Sequence, residues 1–386
     1  MRVLYDSQIF QRQRYGGVSR LFSELLLHYH RSSNIEVGLC IDHTHNDYIN
    51  EIEHSGLTIT DCGKFLGGRR FKGKARIYRA CGAFKKRIHD QERTLMRLKE
   101  GRYDVFHPSY YGEYFLQSLE NTPLVVTVFD MIHEMFPDQL YDPELIRIKK
   151  LLVNRANRVI AISHSTKRDI VKILDVDPNK VDVVHLGVTL PSVRSRTRSV
   201  VAPKRYLLFV GHRDGYKNFH FALRSLAPLL VSDRSLYLVC IGGKIFNGSF
   251  PIDDLLLIQK LELERQVLIF DASDTELSAW YQGAECLIVP SKYEGFGLPI
   301  LEAFASGCPV AAADNSSLPE VAGQAAVFFN TNSSIGISCA IETIIYSKTR
   351  QDELRHAGYE QLKRFSWRKC AAETQNVYRR AMTSTA

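Results

Sequence analysis

Two open, doubly wound parallel α/β sheets in succession are what this 386-residue sequence predicts. Short β-branched runs alternate with segments of helical periodicity along most of the chain, the pattern of repeated βαβ units. The alternation stops at 192–204, a polar, basic stretch ending in Pro203-Lys204, and then restarts. Several strand ends also run into glycine turns that open helices, and open α/β sheets hold ligands in the crevice beyond such ends. The division drawn is therefore 1–191, a linker at 192–204, and 205–365.

In the first half, Arg2-Val-Leu-Tyr5 reads as a strand, followed by Gly16-Gly17 and a helix carrying Val18, Leu21, Phe22, Leu25 and Leu26. The glycine pair lets backbone approach a phosphate or sugar, or simply makes the connection. Ile35 to Ile41 suggests a second strand, Tyr103 to Phe106 a third and Pro123 to Phe129 a fourth. The fourth ends in Phe129-Asp130-Met-Ile-His133, placing an acid and a histidine where a cleft draws its groups. A helix over 142–155, the strand Arg158 to Ile162 and Ser163 as the N-cap of the next helix follow. Two metal-like patterns are set aside. Asp42-His-Thr-His-Asn-Asp47 is loop-like and lacks a partner cluster, and Asp175-Val-Asp177 precedes Pro178 as a helix-to-strand turn.

After the linker, strands are expected at 206–210, 236–241, 267–270, 286–289, 309–312 and 325–328. The first turn, Gly211-His-Arg213 to Lys217-Asn218, carries two cations within one loop, close enough to meet a single diphosphate. The central stretch is Ser291-Lys-Tyr-Glu-Gly-Phe-Gly-Leu-Pro-Ile-Leu-Glu302, between the apolar run 286–289 and a helix opened at Pro299. Glu294 lies before the helix N-terminus, an anion site, and Glu302 about one turn (~5 Å) inside it. Hydroxyls at both ends of a molecule with a pyrophosphate between would match, which describes a nucleotide-sugar. Helices at 335–347, 351–363 and from Trp367 to Met382 close the chain.

Composition adds limits. No apolar run approaches the roughly 20 residues that span a bilayer, and no signal-peptide core follows Met1. The eight cysteines are scattered without a CxxC pair, as expected of free thiols in a cytoplasmic protein. A net charge of +8 permits an anionic partner. The basic stretch 64–102, with interleaved apolar residues, suits either an anionic membrane surface or a helix hairpin covering the domain edge. It lacks a nucleic-acid-binding signature, so no nucleic acid is expected.

These motifs resemble the retaining glycosyltransferases of family 4. The resemblance runs through Gly16-Gly17-Val18, Phe209-Val-Gly211 with Arg213 and Lys217-Asn218, Ser291 to Pro299 with Glu302, and Phe365-Ser-Trp367. The opening Tyr5-Asp-Ser-Gln-Ile-Phe-Gln and Tyr-Gly-Gly-Val-Ser-Arg20 is similar to bacterial O-antigen and polysaccharide mannosyl- and rhamnosyltransferases. It implies the two-domain GT-B fold, with the last helix (366–386) crossing back onto the N-terminal domain. It implies donor binding by Gly17, Gly211, Arg213 and Lys217, by the backbone N–H groups of Phe296, Gly297 and Leu298, and by Glu302, whose carboxylate takes the ribose hydroxyls. Glu294, Asp130 and His133 are placed at the reacting sugar. The resemblance further implies retention at the anomeric carbon without a metal or other cofactor. The donor is a nucleotide-diphosphate sugar, GDP-linked by expectation. The acceptor is a saccharide or lipid-linked saccharide, met at the inner membrane face. Where many relatives carry histidine, this chain has Phe129, which suggests a methyl at carbon six and hence a 6-deoxy donor. A GT-B epimerase or phosphorylase, or an inert sugar-nucleotide or nucleic-acid binder, are the alternatives.

Overall fold

The computed structural model describes residues 1–31, 35–41, 44–54, 83–189, 202–213, 215–243 and 250–383. In the first half, β1 (Arg2–Tyr5) pairs in parallel with β2 (Glu36–Leu39) on one side and β3 (Val105–His107) on the other. A parallel bridge from Phe106 to Leu124 joins that ladder to β4 (Val125–Val128), which continues to β5 (Arg158–Ala161) and β6 (Val181–Val183). The second half forms a six-stranded parallel sheet from β7 (Arg205–Val210), β8 (Leu236–Ile241), β9 (Val267–Phe270), β10 (Cys286–Val289), β11 (Val310–Ala313) and β12 (Ala326–Phe329). Its order is β12-β11-β10-β7-β8-β9, a doubly wound sheet whose winding reverses between β7 and β10. The strands are continuous apolar runs because helices cover both faces. β10 and β11 are buried at every position.

Local chemistry sets the ends. Asp142 caps the Pro143–Arg155 helix by accepting from the Leu145 N–H at 2.9 Å, and Ser163 caps the His164–Leu174 helix by accepting from the Thr166 N–H at 3.0 Å. Asp177 accepts from the Asn179 N–H at 2.8 Å, so Asp175-Val-Asp177 is the turn expected. In the 42–47 stretch, Thr44 and Asn46 donate to the carbonyls of Phe10 and Gln13, tethering the loop before Gly16.

The closing helix, Trp367–Thr383, packs against the Gly17–Arg31 helix and β5 of the first sheet. Its Tyr378 hydroxyl lies 2.7 Å from the Tyr5 hydroxyl and 2.8 Å from His107 Nδ1, while Tyr29 donates to the Ala371 carbonyl at 2.8 Å. The C-terminal helix is thus tied to the N-terminal core by a buried polar cluster, as the GT-B arrangement requires. Among the described residues six cysteines are free, five of them buried. Burial pushes the Cys240, Cys308 and Cys370 thiols up to about 12. No helix of the described residues is long and apolar enough to cross a membrane.

Residues 64–82 of the basic stretch lie outside the described residues. The following helix, Ala83–Lys99, buries Asp90, Thr94 and Leu98, and Gln11 donates to Asp90 at 3.0 Å. This part of the stretch therefore packs on the domain.

Candidate active site

The turn between β10 and the Leu298–Ala305 helix is held from both sheets. Gly297 sits at φ +107° as the N-cap, a backbone state that favours glycine, and Pro299 lies in the first helical turn. Ser317 donates to the carbonyls of Glu294 and Phe296, both at 2.8 Å, and the Glu294 N–H donates to Ser316 Oγ at 3.0 Å. From the N-terminal half, Ser163 and Thr166 donate to the Gly295 carbonyl at 2.7 and 3.1 Å. A Cβ on Gly295 would lie 1.9 Å from the Phe129 carbonyl oxygen and 3.1 Å from Asp130 Cβ. Glycine is needed there because the other domain's backbone occupies the space.

Lys217 donates to Glu294 Oε1 at 2.7 Å, and Ser291 donates to the same oxygen at 2.6 Å. Burial works against the Lys217 charge, but Glu294, Tyr216 and Asp130 outweigh it and hold the ammonium above its ordinary value. Asp130 thus belongs electrostatically to the same cluster. Its Oδ1 also accepts from the Ile132 N–H at 3.1 Å, closing the turn after β4. Below it, buried Lys149 donates to the Asp130 carbonyl at 3.1 Å and to Glu134 at 2.9 Å, fixing the loop. Glu302 accepts from the Tyr281 hydroxyl at 3.0 Å, and Arg20 Nη1 lies 3.6 Å from its other oxygen. Gly17 abuts Leu298, where an added Cβ would meet Leu298 Cδ1 at 2.9 Å. The starts of the Gly17–Arg31 and Leu298–Ala305 helices therefore meet in the cleft.

Three expectations meet a different geometry. Arg213 is not aimed at the Lys217–Glu294 cluster, since its side chain is 3 % exposed, Nε donates to Asp254 at 2.8 Å and Nη1 to the Gly242 carbonyl at 2.7 Å. Asp254 supplies the reason, a buried carboxylate that also lies 2.7 Å from His220 Nε2. His133, in the short Ile132–Met135 helix, has a buried Nδ1 without a partner, and no hydrogen bond links it to Glu294. The Phe129 ring is 7 % exposed and packs on Phe22 and Tyr111, so it offers little surface to a sugar methyl. Gly211, at φ +121°, turns the chain out of β7 as expected.

The sequence reading passed over several groups. Glu320 accepts from the N–H groups of His164 (2.9 Å) and Ser165 (3.3 Å) and lies 2.6 Å from His185 Nε2, a latch between the halves. Burial works to raise its pKa, but His185 and these two N–H groups outweigh that and lower it. Arg20 left a faint signal, a cation near a helix start, which opposes the macrodipole. An open pocket of about 380 Å³ lies between Tyr15, Tyr48 and Glu51 of the N-terminal half and Asp271, Ser273 and Glu276 beyond β9. Arg20 lies over the Tyr48 ring at 5.9 Å, so this pocket adjoins Glu302.

Comparison with known proteins decides the family. The model for Glycosyltransferase Family 4 matches residues 15–190, and that for Glycosyl transferases group 1 matches 195–361. D-inositol 3-phosphate glycosyltransferase of Nocardioides sp. is 30% identical over 311 residues, 73% of this chain and 68% of that protein. The chain is a family 4 glycosyltransferase. O-antigen chain mannosyltransferase B of Escherichia coli is 25% identical over 309 residues, 76% of this chain and 78% of that protein. The fold of this glycosyltransferase is that of sucrose-phosphate synthase from Thermosynechococcus elongatus, with TM-score 0.73, 18% identity and 98% of each chain covered. Anabaena HepE in complex with UDP-glucose gives TM-score 0.71 at 17% identity, covering 97% of this chain and 99% of that one. The two-domain GT-B architecture expected from the motifs is the one observed.

Proposed function

We propose that this glycosyltransferase moves a mannose- or rhamnose-type hexosyl group from a nucleotide-diphosphate sugar, GDP-linked, to a saccharide or lipid-linked saccharide, with retention and without a metal. The observation that carries this is the Lys217–Glu294 pair at 2.7 Å, set at a helix start with Asp130 facing it across the cleft. In this reading the diphosphate rests on the N–H groups of Phe296, Gly297 and Leu298, and Lys217 leaves Glu294 for the departing phosphate. Glu294 then turns to the donor sugar's hydroxyls. The departing phosphate's charge then meets a cation and the N–H groups of a helix start, so the rate rests on positioning and electrostatic stabilisation. The mannose-type assignment follows the Escherichia coli O-antigen chain mannosyltransferase B, and a nucleotide-sugar donor fits the UDP-glucose held by Anabaena HepE.

A screen of GDP-, UDP- and dTDP-sugars for thermal stabilisation and hydrolysis tests it, with NMR of the product anomer in EDTA. GDP-mannose or GDP-rhamnose is expected to stabilise and turn over with retained configuration, and Lys217→Met to abolish both. A protein stabilised by none of these sugars overturns the proposal, as does inversion for the mechanism.

A further inference from the structure

Of the two cations expected for the donor diphosphate on the C-terminal wall, Lys217 stands in the cleft while Arg213 pairs with buried Asp254. The opposite wall carries another. We propose that Arg20 is a donor-positioning residue that exchanges partners, from Glu302 to the diphosphate, when the donor binds; this rests on the reading of the cleft given above.

Three observations place it. Gly17 meets Leu298 at the two helix starts, and about one turn into each helix Arg20 Nη1 lies 3.6 Å from Glu302 Oε1. Side chains on a helix lean toward its N-terminus. The Arg20 guanidinium, beside Glu302 and 5.9 Å from the Tyr48 ring centre, therefore stands about one helical turn (roughly 6 Å) from the Leu298 helix start, within side-chain reach of a diphosphate seated there. Glu302 Oε2 accepts from Tyr281, and Oε1, on the Arg20 side, is the oxygen that an arriving ribose would share with the guanidinium. When ribose hydroxyls take Oε1, the guanidinium gives up its anion just where a second one has arrived. Its planar fork then matches phosphate oxygens. The exchange links recognition of the ribose to neutralisation of the diphosphate.

The test is calorimetric titration of wild type, Arg20→Ala and Arg20→Lys with GDP and guanosine, and in parallel with UDP and uridine. Arg20→Ala is expected to weaken the diphosphate roughly 10- to 100-fold, the range one charge-assisted hydrogen bond supplies. The nucleoside is expected to bind as well or better, since Glu302 no longer has a guanidinium to release. Arg20→Lys should restore part of the diphosphate affinity. Equal diphosphate binding by wild type and Arg20→Ala overturns the exchange. Equal losses for nucleoside and diphosphate also overturn it, by showing a merely structural role. If neither diphosphate binds wild type, the donor reading itself falls, and the exchange with it.

Discussion

Gly295→Ala adds one methyl group to the tightest point between the two halves. The glycine is not among those at positive φ, so its own backbone accepts an L residue. The obstacle is the Phe129 carbonyl oxygen, 1.9 Å from the position the methyl carbon would take. A carbon–oxygen contact needs about 3.3 Å, so the halves must part by ~1.4 Å there. That stretches the Ser163 and Thr166 hydrogen bonds, now 2.7 and 3.1 Å, beyond bonding range. Two such bonds contribute about 2 kcal/mol together, or roughly 30-fold in the closed population. Asp130 also shifts relative to Lys217, and displacements of about 1 Å in a reacting constellation cost up to 100-fold. The expected result is a fall in kcat/KM for sugar transfer of at least about 30-fold, with unchanged far-UV circular dichroism and a larger radius of gyration by small-angle scattering. Wild-type kcat/KM in this variant would refute the closure argument.

Other outcomes follow from the same contacts. Burial holds His107 down to about 3, against about 6.5 in the unfolded chain, so the folded protein stays neutral there while the unfolded chain takes a proton. Stability is full above about pH 6.5 and falls at roughly 1 kcal/mol per unit as the pH drops toward 3; His107→Gln should flatten the slope of Tm between pH 7 and 5. Tyr378→Phe removes the hydroxyl shared by Tyr5 and His107 and should lower stability by about 2 kcal/mol in urea titration, with an unchanged midpoint counting against the cluster. Glu320→Ala removes the acceptor of the His164 and Ser165 N–H groups at the start of the His164–Leu174 helix and deprives His185 of that carboxylate, for an expected loss of about 2 kcal/mol. Because the Glu320 carboxyl is lowered, that contribution is complete above its unfolded value near 4.5 and is lost as the pH falls through its folded value. The wild-type and Glu320→Ala melting curves should therefore converge in acid.

The strands were legible because residues buried on both faces leave unbroken apolar runs, as in Cys286–Val289. Boundaries moved by up to three residues, as where the helix expected at 351–363 begins at Lys348, and the short Gln8–Arg12 helix was missed, being too brief to show a period. The glycine turn at 294–297 was legible because helix starts and glycines punctuate the sequence.

What the sequence alone determined, then, is local: elements, caps, the Asp175–Asp177 turn, and the spacing that puts Glu294 before and Glu302 inside one helix start. Partner choice belonged to the tertiary structure. Arg213 took Asp254, 41 residues away and visible in the sequence only as an acid among others, rather than a place beside Lys217. Gly295 is glycine because Phe129 and Asp130 press on it from the other domain, and Arg20 reached Glu302 across the cleft. A hydrogen-bond donor or a charge carries no label for its partner along the chain. The partner is set by which surfaces the buried sheets bring face to face.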